Sequence, residues 1–145
     1  MRLPVLLAAV LILAGCSTLS ERVGQRFSAV EPVSRVLHHD EENVFSGAQE
    51  VLEEQGYLVT RAAQAQGIIE ARSRRLPTEQ FGASEQFVME IRLRSVDPGV
   101  TTVEALLRQQ VEGDFAAGAS SAPLREHGRY DGFFEALETR LGSPN

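Results

Sequence analysis

Residues 86–112 constrain the fold more than any other stretch of the chain. From Gln86 to Val96 the side chains alternate. Phe87, Met89, Ile91 and Leu93 fall on one side, and Glu90, Arg92 and Arg94 on the other. Asp97-Pro98-Gly99 is a turn signature. From Thr101 to Glu112 the pattern resumes, with Val103, Ala105, Leu107 and Val111 on one side. Two long, one-sided strands joined by so short a link predict an antiparallel pair with one covered face.

The flanking segments supply the rest of a small core. Val44, Phe45, Ala48, Val51 and Leu52 form one apolar stripe at helical spacing and predict a helix over residues 40–55. Asp40 suits its N-cap, Glu41 and Glu42 suit the positive end of its dipole, and Gly56 stops it. Residues 57–62 and 67–74 read as two further strands, with Ile69 and Ala71 turned inward. Tyr130, Phe133, Phe134, Leu137 and Leu141 give a second helical stripe over residues 129–141. Ser121 and Pro123 resemble an N-cap and first helical position, which would start that helix earlier, although Gly128 weakens such a start. Residues 76–85, containing Phe81, and residues 113–122 read as mobile loops. The expected fold is α+β: a two-layer, four-stranded antiparallel meander with an N-terminal and a C-terminal helix packed on one face. It would occupy residues 40–142, leaving residues 143–145 as a tail.

The N-terminus has a different character. Arg2 precedes an apolar run from Val5 to Leu13, and Ala14 and Gly15 are small. These are the parts of an export signal. The run is too short for a bilayer, which needs about 20 such residues. Cys16 follows and is the only cysteine. It has no partner for an internal disulfide, and an unmodified thiol is a liability in an oxidising compartment. The run Leu13-Ala14-Gly15-Cys16 resembles the lipobox of bacterial lipoproteins. That resemblance implies removal of residues 1–15 and lipidation of Cys16 with diacylglyceryl and palmitate-type chains. One acyl chain binds a bilayer only marginally, and two signals hold firmly. Ser17 after the cysteine implies an outer-membrane destination facing the periplasm. Residues 16–39 would then be the lipidated cysteine and a flexible tether, with a reach of about 80 Å if fully extended.

The element order resembles a group of small, uncharacterised bacterial periplasmic lipoproteins. More broadly, it is similar to the small α+β domains of envelope-assembly lipoproteins, such as those of the outer-membrane β-barrel assembly machinery. The residues that carry this are the Val44-Phe45, Ala48 and Val51-Leu52 stripe, Gly67-Ile68-Ile69-Glu70-Ala71, and Tyr130, Phe133-Phe134 and Leu137. They are packing motifs, and the resemblance transfers no catalytic residue.

Charge narrows the function classes. Removal of residues 1–15 takes away Arg2 and leaves 13 basic against 20 acidic residues, a net charge of −7. Such a domain is not drawn to nucleic acid by bulk charge. Every basic residue is an arginine, so each basic charge is a planar fork that does not titrate. His38-His39-Asp40 is the only dense metal-capable cluster, but it lacks further ligands at recognisable spacing and reads as the solvated end of the tether. No metal, cofactor or catalytic residue is expected. Nucleophile-elbow, zinc-protease and phosphate-loop motifs are missing from the sequence. The carboxylate pairs Glu41-Glu42 and Glu53-Glu54 read as an exposed helical face.

One surface stands out. With Ile69 and Ala71 inward, Glu70, Arg72 and Arg74 point outward and join Glu90, Arg92, Arg94, Glu104, Arg108 and Gln110 on the second sheet face. Two readings fit it. Cross-strand ion pairs would make it an ordinary solvated face. Alternatively, Arg72, Arg74, Arg92, Arg94 and Arg108 would form a docking surface for anionic groups of an envelope protein. The sequence therefore favours a membrane-anchored, non-enzymatic binding or assembly accessory. A cell-wall-acting enzyme or enzyme subunit, and a small-ligand domain lidded by Phe81, are the alternatives.

Overall fold

The computed structural model describes residues 27, 29–79, 82–113, 120–125 and 127–142. The chain divides into two units, residues 1–31 and 32–145. Every strand and helix with described bounds belongs to the second. Cys16 and its neighbours lie outside the described residues, as does Phe81.

The second unit is α+β, with one antiparallel sheet and two helices. Its elements run β1 (Val33–Leu37), α1 (Glu41–Glu54), β2 (Leu58–Ala63), a 3₁₀ turn (Gln64–Gln66), β3 (Ile68–Arg72), β4 (Leu76–Pro77), β5 (Ala83–Asp97), β6 (Val100–Gly113), β7 (Ser120–Leu124) and α2 (Gly128–Leu141). The sheet order is β1-β6-β5-β3-β2, with β4 paired to β5 and β7 to β6.

The expectation of four strands is corrected to seven. The four expected ones are β2, β3, β5 and β6, and they keep the meander order. The additions are short and carry little alternating pattern of their own. β1 falls inside the segment read as a tether, and pairs Val33 with Ala105 and Leu37 with Thr101. The folded unit therefore begins before residue 40, and the helix–four strands–helix order becomes one that opens on a strand. β4 and the start of β5 occupy part of the supposed loop at 76–85. β7 takes in Ser121 and Pro123, so these residues do not start α2. Pro123 faces Arg108 on β6, at the sheet margin where proline is tolerated.

The β5–β6 pair is the spine of the sheet. Its register places Met89 opposite Leu107, Ile91 opposite Ala105 and Leu93 opposite Val103. The connection closes on Pro98-Gly99, and Gly99 adopts φ +69. A turn with positive φ at its second central residue needs glycine there, and proline presets the first. A bulge between Ser95 and Asp97 frees the ladder locally. Glu41 fills that gap: its carboxylate accepts a hydrogen bond from the Ser95 backbone N–H at 3.0 Å. The N-terminus of α1 is thereby tied to the end of β5, and Glu41 is half-buried rather than part of an exposed acidic face.

Both helices lie on the face that this register builds. Val44, Phe45, Ala48, Val51 and Leu52 of α1, and Tyr130, Phe133, Phe134 and Leu137 of α2, share one cluster with Ile69, Ala71, Met89, Ile91, Val103 and Leu107. α1 ends in a paired C-cap: Gly56 N–H donates to Glu53 O, and Tyr57 N–H to Leu52 O. This is the Schellman arrangement, and it delivers Tyr57 into the core. α2 is capped by His127, whose Nδ1 accepts from Arg129 N–H at 3.1 Å. Histidine is not among the favoured N-cap residues, so residue type alone does not mark this cap.

Gly67 joins the 3₁₀ turn to β3 at φ +62, and its carbonyl accepts from Leu93 N–H. A Cβ there would sit 2.5 Å from the Leu93 carbonyl oxygen. The Gly67-Ile68-Ile69 junction is thus fixed by backbone contact as well as by apolar pattern.

Tyr130 ties α2 to the sheet. Its hydroxyl accepts from Leu107 N–H and donates to Leu124 C=O, both at 2.7 Å. Leu107 and Leu124 are the final pair of the β6–β7 ladder, so the hydroxyl bridges the end of that ladder. Burial raises the Tyr130 pKa above its ordinary value, and the hydrogen bond from Leu107 N–H offsets this in part. We expect Tyr130→Phe to destabilise the domain by about 1–3 kcal/mol, because two buried backbone groups lose their partner. Chemical denaturation measures this. With the folded-state pKa raised, the unfolded chain ionises first. Stability is therefore unaffected below about pH 10 and falls above it. Tyr130→Phe should flatten that alkaline decline.

Candidate functional site

The second face of the sheet follows from the same register. One row across it reads Leu58, Arg72, Val88, Arg108, Pro123. The next reads Arg61, Glu70, Glu90, Leu106, and the third Ala63, Ile68, Arg92, Glu104, Ser34. Arg94 faces Thr102, and Val36 lies beyond it on β1. Arg72, Arg92, Arg94 and Arg108 share this face, as their spacing predicts. Arg74 does not. β3 ends at Arg72, and Arg74 lies in the exposed link before β4. Ser73 still bonds to β5, its N–H donating to Phe87 O, but the ladder ends at Arg72 and alternation does not continue to Arg74.

This face is not an open field of arginines. Ile68, Val88 and Leu106 are buried on it, and so are Glu90 and Glu104. Glu104 is the electrostatic centre. Arg92 Nε donates to its Oε2 at 2.7 Å, and Arg94 donates to its Oε1. Arg72 donates to Glu70 at 3.0 Å, and Arg108 Nε to Ser121 Oγ at 3.1 Å. A carboxylate that is 6% exposed needs such partners, because an uncompensated buried charge is costly. Four of the five arginines expected to greet a partner, Arg72, Arg92, Arg94 and Arg108, thus have hydrogen-bond partners within the sheet, while the Arg94 side chain stays 58% exposed.

A further arginine, Arg129, lies where α1 ends and α2 begins. The Arg129 guanidinium stacks on Phe87 at 4.4 Å and donates to the Tyr57 hydroxyl at 3.3 Å. The His127 ring lies 5.8 Å from that of Phe87. This arrangement secures the helix start through stacking.

The main concavity is elsewhere. It is an open groove of about 1050 Å³ between the start of α1, the Pro98–Val100 turn and the end of α2. His38, His39, Asp40, Asn43, Ser46 and Glu50 line one side, with Arg140 and Leu141 across from them. An adjoining hollow of about 540 Å³ shares His38, His39 and Leu141 and adds Val36, Leu37, Glu138 and Thr139. The groove forms for local reasons. β1 must turn into α1 at His38–Asp40, and Thr101 Oγ1 pins that turn by donating to His39 O at 2.8 Å. Asn43, Ser46 and Glu50 recur at i, i+3 and i+7, so they form one polar stripe of α1. Arg140 on α2 donates to both Glu50 and Glu54, and these bonds raise its pKa, Glu54 most.

The reading of His38-His39-Asp40 as a solvated tether end is therefore corrected. These residues lie between β1 and α1 within the folded unit and line an open groove, where His38 and Asp40 remain exposed. The readable signal was the Asn43–Ser46–Glu50 stripe, but the opposing Pro98–Val100 turn and Arg140 are remote in sequence. Among the described residues no group of three or more His, Cys, Asp or Glu side chains is placed to hold a metal ion. Nor is any helix among them long and apolar enough to cross a membrane.

No protein-family model matches the chain, and no curated protein does. One solved structure that resembles it is the adenylate sensor from AMP-activated protein kinase in complex with 5-aminoimidazole-4-carboxamide 1-beta-D-ribofuranotide. The identity is 15%, and the match covers 74% of this chain and 93% of that one. Its TM-score of 0.41 is too low to carry an argument.

The geometry of Glu104 separates two substitutions that look alike in sequence. Arg92→Glu sets a second carboxylate against a buried one and should cost about 3–5 kcal/mol. Arg94 has a side chain that is 58% exposed, so Arg94→Glu should cost about 1 kcal/mol or less. Urea denaturation of the two variants checks the ranking, and equal losses would contradict it.

Proposed function

We propose that this chain is a lipid-anchored envelope protein. It is held to the membrane through acylated Cys16 and presents its α+β domain to the periplasm as a binding or assembly accessory. The observation that carries this reading is Leu13-Ala14-Gly15-Cys16 placed directly after the apolar run from Val5 to Leu13. Ser17 supports an outer-membrane destination. The folded unit opens at Val33, so 16 residues intervene after Cys16.

A binding role draws support from the shape and chemistry of the domain. Arg72, Arg92, Arg94 and Arg108 of the second sheet face have partners within the sheet, and the groove beside α1 is open to solvent. Chemistry on a substrate favours a closed, water-excluding site, whereas an open polar trough suits recognition.

The test is acylation. In the producing bacterium, an alkyne-tagged palmitate should label the wild-type protein, which should sediment with the outer membrane. Cys16→Ser should lose the label and either accumulate as uncleaved precursor or leave the membrane fraction. Cleaved protein that stays in the membrane without acyl chains would overturn the reading.

A further inference from the structure

We draw no further inference here: the strongest candidate, the second face of the sheet, where Ile68, Val88 and Leu106 are buried although both helices pack on the other face, carries nothing because nothing among the described residues shows what covers it.

Discussion

The long antiparallel pairing of β5 with β6 is the constraint on which the rest of the domain depends. Its register puts Phe87, Met89, Ile91 and Leu93 on one face together with Val103, Ala105 and Leu107. A slip of one residue would exchange this set for Val88, Glu90, Arg92 and Arg94 and present charge to the helices. Pro98-Gly99 holds the register at the turn. The bulge just before it releases the Ser95 N–H, and Glu41 takes it up. The start of α1 is thus set by a feature of the hairpin. β3 and β2 extend the sheet on one side, while β1 and β7 share the opposite margin of β6.

Polar groups then fix what apolar packing leaves loose. Tyr130 is a core aromatic by area, yet its hydroxyl also completes the end of the β6–β7 ladder. A hydrogen bond of this kind contributes only about 1 kcal/mol net when made, and costs more when a partner is removed. Glu104 plays the comparable part on the second face, where Arg92 and Arg94 converge on it. These arginines therefore hold the sheet's own carboxylates in place.

The limits of the sequence show in particular residues. α1 and the strands β2, β3, β5 and β6 were legible from their periodic side chains and bounding turn residues. β1, β4 and β7 were not: Leu76–Pro77 is two residues long, Ser120–Leu124 carries one large apolar side chain, and Pro123 reads more readily as a helix start. The arginine face was legible as a face, since alternation is local. That Glu104 claims two of its members was not, because the pairing joins β5 to β6 through side-chain length and burial. Arg74 was misplaced because a strand's end depends on its neighbour's ladder. The groove was the least legible feature. Its walls come from residues 38–50, 98–100 and 140–141.

By itself the sequence determined the period of each long element, the turn at Pro98-Gly99, the acidic, lysine-free composition and the lipobox-like run at Cys16. These are properties of neighbouring residues, and short-range sterics and hydrophobic spacing suffice to express them. Only the tertiary structure decided that the supposed tether contributes a strand, that Glu104 pairs with Arg92 and Arg94, and that His38, His39 and Asp40 line a groove with Arg140. Those facts arise from contacts between segments up to 103 residues apart, such as Arg35 with Glu138. The packing of helices on a twisted sheet sets such distances, and no local pattern records them.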